Sequence, residues 1–395
     1  MGAQNSINEA VIVDAVRTPV GRRDGRLTGW HPVDLLAEVL AEIVDRSDLD
    51  PSKVDDVICG CVSQVGEQSI NIGRNAWLAA GLPEEVPAVT IDRQCGSSQQ
   101  SAHFAAQGVI SGAYDVAIAC GVENMSRVPM GSNAQTQGWP FSEQLTARYD
   151  GGLVPQGISA EIIAEKWGLT REELDDFAVR SHERAGAATK VGAFKNEILP
   201  VKVETADGTE IFDADEGIRT PDRAKISALP PVFKPDGVVT AANSSQISDG
   251  AAALLIMSRA KVDELGVTPR ARFVSFALAG ADPITMLTGP IPATRKALDR
   301  AGLSIEDVDA VEINEAFASV VLAWKKELAL TDDFFEGRVN TRGGAIALGH
   351  PLGASGARLM TTLINVLEER GGRYALQTMC EGGGLANATV LERLS

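Results

Sequence analysis

Strand-like and helix-like runs alternate along this chain, and that alternation restricts it to an α/β fold. Residues 10–16 form a continuous apolar run of strand length. Residues 32–46 carry apolar side chains at helical spacing, with Pro32 at the start, where its missing N–H costs nothing. The pattern predicts a strand over 54–61, a helix over 97–110 and a strand over 114–120. The last third repeats it: helices are expected over 293–301, 316–328 and 354–369, and strands over 310–313 and 374–380.

The alternation contains an internal repeat. Lys53-Val54-Asp55-Asp56-Val57-Ile58-Cys59 is similar to Asp307-Val308-Asp309-Ala310-Val311-Glu312-Ile313, and each follows an amphipathic helix and a short turn. Farther on, each copy places a reactive side chain at the start of a helix, Cys95 in the first and His350 in the second. Each of those helices leads to a strand ending in cysteine, at Cys120 and Cys380. Two copies of one α/β unit account for this order. Residues 123–249 differ in texture, being rich in Gly, Pro, Gln, Ser and charge. One helix is expected there, over 171–191, with Thr170 as N-cap and Glu173 closing a capping box. The segment reads as an insertion over one face of the first unit.

At 395 residues, and roughly 100–200 residues per domain, two to four domains or repeated units are expected. The net charge of −17 repels a phosphate backbone and argues against general nucleic-acid binding. A small anion would need a local Arg, Lys or helix N-terminus. No apolar run reaches the roughly 18 residues of a membrane span. Five cysteines in so long a chain do not make a disulfide framework. The N-terminal residues lack the basic and apolar regions of a secretory signal, so a reducing cytoplasm is the expectation. Residues 1–6 fit the short, common N-myristoylation pattern.

Four segments carry candidate chemistry. Asp92-Arg93-Gln94-Cys95-Gly96-Ser97-Ser98 follows an apolar strand signal and opens a helix. The free N–H groups and partial positive charge of a helix N-terminus favour a thiolate, so Cys95 fits a nucleophile with a lowered pKa. Taken alone, the segment fits a small buried core cysteine equally well. Around His350, five glycines crowd the run from Asn340 to Gly356, and the other histidines, at 31, 103 and 182, have no such setting. Cys380-Glu381-Gly382-Gly383-Gly384 puts a thiol beside free N–H groups, although an ordinary strand-to-loop turn explains it as well. Asn314-Glu315-Ala316-Phe317-Ala318 offers an amide that can hold water or face an oxyanion, and Asn is also a routine helix cap. Cys59-x-Cys61 lacks a second pair of zinc ligands, so no metal is expected. No nucleotide-binding glycine motif is present in the right context.

Taken together and in order, these segments resemble the thiolase family of acyl-CoA acyltransferases. The resemblance extends to Val13-Asp14-Ala15-Val16-Arg17-Thr18-Pro19-Val20-Gly21 and to the run from Asn243 to Ala253, and so covers essentially the whole chain. It implies a five-layer αβαβα thiolase fold built from two similar halves. The N-terminal half would begin with residues 1–122, the inserted loop domain would span 123–249, residues 250–270 would end the first half, and 271–395 would form the second. It implies homodimers or homotetramers. It also implies that 3-ketoacyl-CoA is cleaved to acetyl-CoA and a shortened acyl-CoA, reversibly and by ping-pong kinetics, with coenzyme A as co-substrate and no cofactor.

The resemblance assigns roles residue by residue. His350 takes the proton of Cys95, Cys95 is acylated, and Cys380 moves a proton to or from C2 of the acetyl unit. One oxyanion site uses His350 with a water held by Asn314; the other uses the N–H groups of Cys95 and Gly382. Ser245 would contact the pantetheine arm, and Arg219 would lie near the adenosine phosphates. Val154-Pro155-Gln156-Gly157 stands where acetoacetyl-specific members often carry His-Met-Gly. The overall texture resembles bacterial 3-ketoacyl-CoA thiolases of lipid or steroid catabolism. The alternatives are a biosynthetic acetoacetyl-CoA thiolase and, from another class, a non-catalytic acyl-CoA-binding relative.

Overall fold

A computed structural model describes residues 8–135, 138–149 and 152–394. The N-terminal acylation pattern at residues 1–6 lies outside the described residues. The centre is a ten-stranded sheet, nine strands of which follow one path. These are β1 (Ala10–Arg17), β2 (Asp56–Gly60), β3 (Ala88–Ile91), β4 (Val116–Asn124), β5 (Ser248–Ser258), β6 (Ala271–Gly280), β7 (Ala310–Ile313), β8 (Tyr374–Glu381) and β9 (Leu385–Arg393). Their order is β7-β8-β9-β6-β1-β5-β4-β2-β3. The tenth, Gly21–Arg22, pairs with β5.

The path divides at its weakest joint. Strands β6 and β1 share only the pairs Val11 with Arg272 and Ile12 with Ala271. On one side lies β1-β5-β4-β2-β3, on the other β6-β9-β8-β7, so the repeated segments around β2 and β7 hold equivalent places. Each runs parallel to its neighbour, β2 to β4 and β7 to β8.

Seven helices build the layers and carry the reactive loops: α1 (Pro32–Arg46), α2 (Ser97–Ser111), α3 (Gln156–Lys166), α4 (Arg171–Lys190), α5 (Pro290–Ala301), α6 (Ala318–Glu327) and α7 (Ser355–Arg370). α1 covers the outer face of the first half-sheet and α5 that of the second. α2 and α7 pack against each other; α2 lies on the first half-sheet and α7 on both. Five layers result. Side-chain alternation fits these layers: along β5, Ala251, Ala253, Leu255 and Met257 join the outer core under α1, whereas Ala252, Leu254 and Ile256 join the core around α2 and α7. A strand buried on both faces reads as an unbroken apolar run.

The segment between β4 and β5 departs from expectation in one respect. It does not cover the first half alone. α3 and α4 pack on α6, and Ile163, Leu174 and Phe177 join the core of the second half. Val201, Val203 and Phe212, from a hairpin, join the first. The apolar face of α6 supplies the surface on which α3 and α4 bury their own. α4 starts as expected: Glu173 N donates to Thr170 Oγ1, and Glu173 accepts from Thr170 N at 2.7 Å.

The central helices meet at their N-termini. A Cβ at Gly356 would overlap the backbone nitrogen of Gln99, so the two helices touch backbone to backbone. Ala357 N donates to Ser98 Oγ at 2.9 Å, and Gln377 Nε2 donates to Gly356 O at 2.8 Å. Gln99 Nε2 donates to Thr389 Oγ1 on β9 at 2.9 Å, which ties α2 to the opposite half-sheet. Because the obstructing atom is main chain, it cannot rotate away. Gly356→Ala should therefore destabilise the protein by about 1–3 kcal/mol or prevent folding. Gly29→Ala, where a Cβ meets nothing within 4 Å, should leave stability within about 0.5 kcal/mol. Urea denaturation of the two variants checks the contrast.

Candidate active site

Cys95 stands between β3 and α2 at a sharp turn. Gln94 holds a left-handed φ of 49°, which is costly for a residue with a side chain. Asp92 holds it there by accepting from Gln94 N at 2.6 Å. Ser97 Oγ accepts from Arg93 N at 2.9 Å and donates to Gln94 O at 2.6 Å, closing the turn. The result presents Cys95, almost fully buried, at the start of the helix. Its sulfur is served by the N–H groups of Cys95 itself and of Gly382.

Gly382 reaches that sulfur because residues 382–384 form the hairpin turn between β8 and β9. Gly383 and Gly384 have φ of 84° and 79°, a conformation that favours glycine. The same turn places Cys380, fully buried, where the charge of Cys95 acts on it. Asn387 on β9 donates to Gly96 O at 3.0 Å and locks the hairpin onto the Cys95 turn.

The expected lowering of the Cys95 pKa is overturned. Burial pushes the thiol up to about 12, the charge of Glu381 adds to the rise, and the two N–H groups oppose it only in part. Cys380 is raised well above the ordinary thiol value by burial and by Cys95. Glu381, buried with neither carboxylate oxygen hydrogen-bonded, is itself raised to about 8 by burial. In this dry pocket, desolvation outweighs the helix N-terminus.

His350 comes from the second half. Its backbone N–H is held by Ser248 Oγ at 3.1 Å and Gln246 O at 3.2 Å. Burial and the positive charge of Arg358 push the imidazole down to about 3, so the ring is neutral. Ser355 Oγ lies 2.6 Å from His350 Nδ1 and 2.8 Å from Pro351 O, a geometry that fits a hydroxyl donating to Pro351 O and accepting from Nδ1–H. Nε2 then keeps its lone pair, with Asn314 Nδ2 at 3.3 Å. Asn314 Oδ1 is buried without a hydrogen bond.

One carboxylate links the His350 loop to the loop after β2. Glu123, at the end of β4, accepts from Val62 N, Ser63 N and Gly353 N at 2.9–3.0 Å, and from Gln68 Nε2 at 2.8 Å. Sequence reasoning missed Glu123, Ser248 and Asn387 as site-building residues. Only their places near the quoted motifs pointed to them. It also named Ser355 only as part of the His350 motif.

A cavity of about 590 Å³ opens over this assembly. His350, Ser245 and Arg219 line it, together with Met125, Leu352 and Phe317. Cys95 and Cys380 do not border its open part; Cys95 packs beneath in one cluster with Met125 and Leu352. Ser245 N donates to Ala316 O at 2.9 Å, which fixes the cavity wall. Arg219 lies toward the outside and also lines an adjoining cavity of about 410 Å³ with His182 and Lys225. Cys95, the His350 imidazole, the Cys380 thiol and two separate sets of donors are therefore gathered from both halves of the chain.

Comparison with known proteins gives the family. Residues 10–260 match the family model described as thiolase, N-terminal domain, and residues 267–393 match thiolase, C-terminal domain. The chain is 53% identical to a steroid 3-ketoacyl-CoA thiolase, FadA6, of Mycobacterium tuberculosis, over 98% of this chain and 95% of that protein. It is 48% identical to a 3-ketoacyl-CoA thiolase of Vibrio vulnificus, over 98% of this chain and all of that one. Among solved structures, human mitochondrial 3-ketoacyl-CoA thiolase aligns with a TM-score of 0.90 at 37% identity, covering 98% of this chain and 100% of that one. The acetyl-CoA acetyltransferase of Bacillus anthracis aligns with the same score at 38% identity, covering 99% and 100%. The fold, the gathered site and the full-length matches lead to one conclusion: this chain belongs to the thiolase family.

Proposed function

We propose that the protein is a 3-ketoacyl-CoA thiolase acting in the degradative direction. The carrying observation is the joint placement of Cys95, Cys380 and the Gly382 N–H beneath a cavity that His350 lines. The names of the relatives at 53% and 48% identity support the same substrate class. In this reading Cys95 Sγ attacks the C3 ketone while His350 Nε2 accepts the thiol proton. The C2–C3 bond then breaks, its electron pair passes to C2, and Cys380 gives C2 a proton, releasing acetyl-CoA. Coenzyme A finally takes the acyl group from Cys95: its thiol proton passes to the Cys380 thiolate, and His350 returns its proton to the Cys95 sulfur. The N–H groups of Cys95 and Gly382 face the oxygen on C3, and His350 with Asn314 faces the thioester oxygen.

The protonation states constrain how the first step proceeds. A thiol near 12 and an imidazole near 3 do not form a resting ion pair. The proton therefore moves as the S–C bond forms, which is general-base catalysis. Ser245 and Arg219 fit contacts to coenzyme A, because they line the route into the cavity and Arg219 supplies a cation in a chain of net charge −17. A cytoplasmic setting accords with five free, buried cysteines. A homodimer or homotetramer accords with the outer edge of β3, which among the described residues pairs with no further strand and carries exposed Val89, and with exposed Ile70. Among the described residues, no helix is long and apolar enough to cross a membrane.

Two substitutions separate the roles. Cys95→Ser should abolish acyl-enzyme formation, and intact-mass detection of normal acylation would refute the assignment. Cys380→Ser should still acylate from acyl-CoA but lose thiolysis of 3-ketoacyl-CoA; normal thiolysis would remove Cys380 from the mechanism.

Glu381 yields a pH prediction. Its carboxyl binds a proton in the folded protein up to about pH 8, whereas its ordinary value is 4.5. Between these values the folded state holds the extra proton, so stability is lost as pH rises through the window. Beyond burial, Arg93 opposes the rise and Asp92 strengthens it. Glu381→Gln should match the wild type in urea midpoint near pH 5 and exceed it near pH 8.5. An equal difference at both values would show that Glu381 does not titrate in this window.

A further inference from the structure

Gln156 is a polar side chain of the cavity that the reaction as derived leaves unused. It is the first residue of α3 and lines the same cavity as His350. Its position is at the reacting end: a Cβ built on Gly382 would lie 3.2 Å from Gln156 Nε2 and 2.9 Å from Gln94 Oε1. The walls beside it are apolar. Phe233 packs edge-on against Phe317 at 5.9 Å, and Met125, Met130 and Leu352 complete the surface.

Other polar groups of this cavity already have work. Gln246 Nε2 donates to Gly217 O, Ile346 O and Ala347 O, and Ser244 Oγ donates to Thr240 O. Arg22 and Arg23 pair with Glu216 and Asp24 and are largely exposed. Ser245 and Arg219 face the route taken by coenzyme A. The Gln156 amide makes no hydrogen bond to the described residues.

An acyl chain that fills this end of the cavity must cover that amide. A plain hydrocarbon chain would strip it of water and return nothing, and an unpaired buried amide is costly. A chain with an oxygen at the right place would pair with it. We infer that Gln156 is a specificity-determining residue that selects 3-ketoacyl-CoA substrates whose acyl chain carries a hydroxyl, ether or ketone oxygen close to the reacting carbonyl. The inference rests on the thiolase reading of this cavity.

The test compares wild type with Gln156→Met, which keeps the length and flexibility of the side chain and removes the amide. Thiolysis is measured on a straight-chain 3-ketoacyl-CoA and on its 5-oxa analogue, in which an ether oxygen replaces C5. For each protein the readout is kcat/KM of the oxa substrate over that of the all-carbon one, so the intrinsic reactivities of the substrates cancel between proteins. The ratio should fall about tenfold in the variant, the loss expected when one amide is no longer paired. The all-carbon substrate should be cleaved at least as well as by wild type. An unchanged ratio overturns the inference. Equal loss on both substrates also overturns it, because the amide would then act on the reacting oxygens. Gln156→Leu serves the same comparison if the Met variant does not fold. Failure of wild type to cleave either substrate removes the thiolase reading and this inference with it, an outcome distinct from the other two.

Discussion

The backbone contact of Gly356 with Gln99 is the constraint on which the site depends. It lets α2 and α7 approach without side chains between them, and each helix begins just after a reactive residue of its own half. Cys95 and His350 lie 255 positions apart in the chain, so no local interaction can bring them together. The crossing of the two helix N-termini does so. Glu123 then fixes the loops around it, because one carboxylate accepts from Val62 and Ser63 on one side and Gly353 on the other.

The electrostatics follow from the same close packing. Excluding water raises both thiols and Glu381 and lowers the imidazole, so every one of these groups at the reaction centre prefers its neutral form. Such a centre stores no charge at rest. Charge appears only as bonds change, and there it meets fixed N–H groups rather than mobile solvent. A dry pocket raises the cost of a lone thiolate and strengthens each hydrogen bond to a developing oxyanion.

Much of the architecture was legible in residue patterns. Residues 32–46 form α1, the capping box at Thr170 and Glu173 starts α4, and the repeated heptapeptides lead into β2 and β7. The strands β5 and β9 were not legible in this way. Runs such as Ala251-Ala252-Ala253-Leu254-Leu255 have no alternation, because both faces are buried, and such a run does not distinguish strand from helix. The packing of α3 and α4 on the second half was also illegible, since the partner face on α6 lies far along the chain.

The sequence by itself determined which residues can do chemistry and how each is presented locally: a thiol at a helix start, a histidine among glycines, a thiol before a three-glycine turn. Those features depend on neighbours within a few positions. Tertiary structure alone decided their protonation states, the contact of Ser355 Oγ with His350 Nδ1, and the seat of Gln156 beside Gly382. The physical reason is that desolvation and hydrogen-bond partnership depend on what surrounds a group in space, and here that surrounding comes from the other half of the chain.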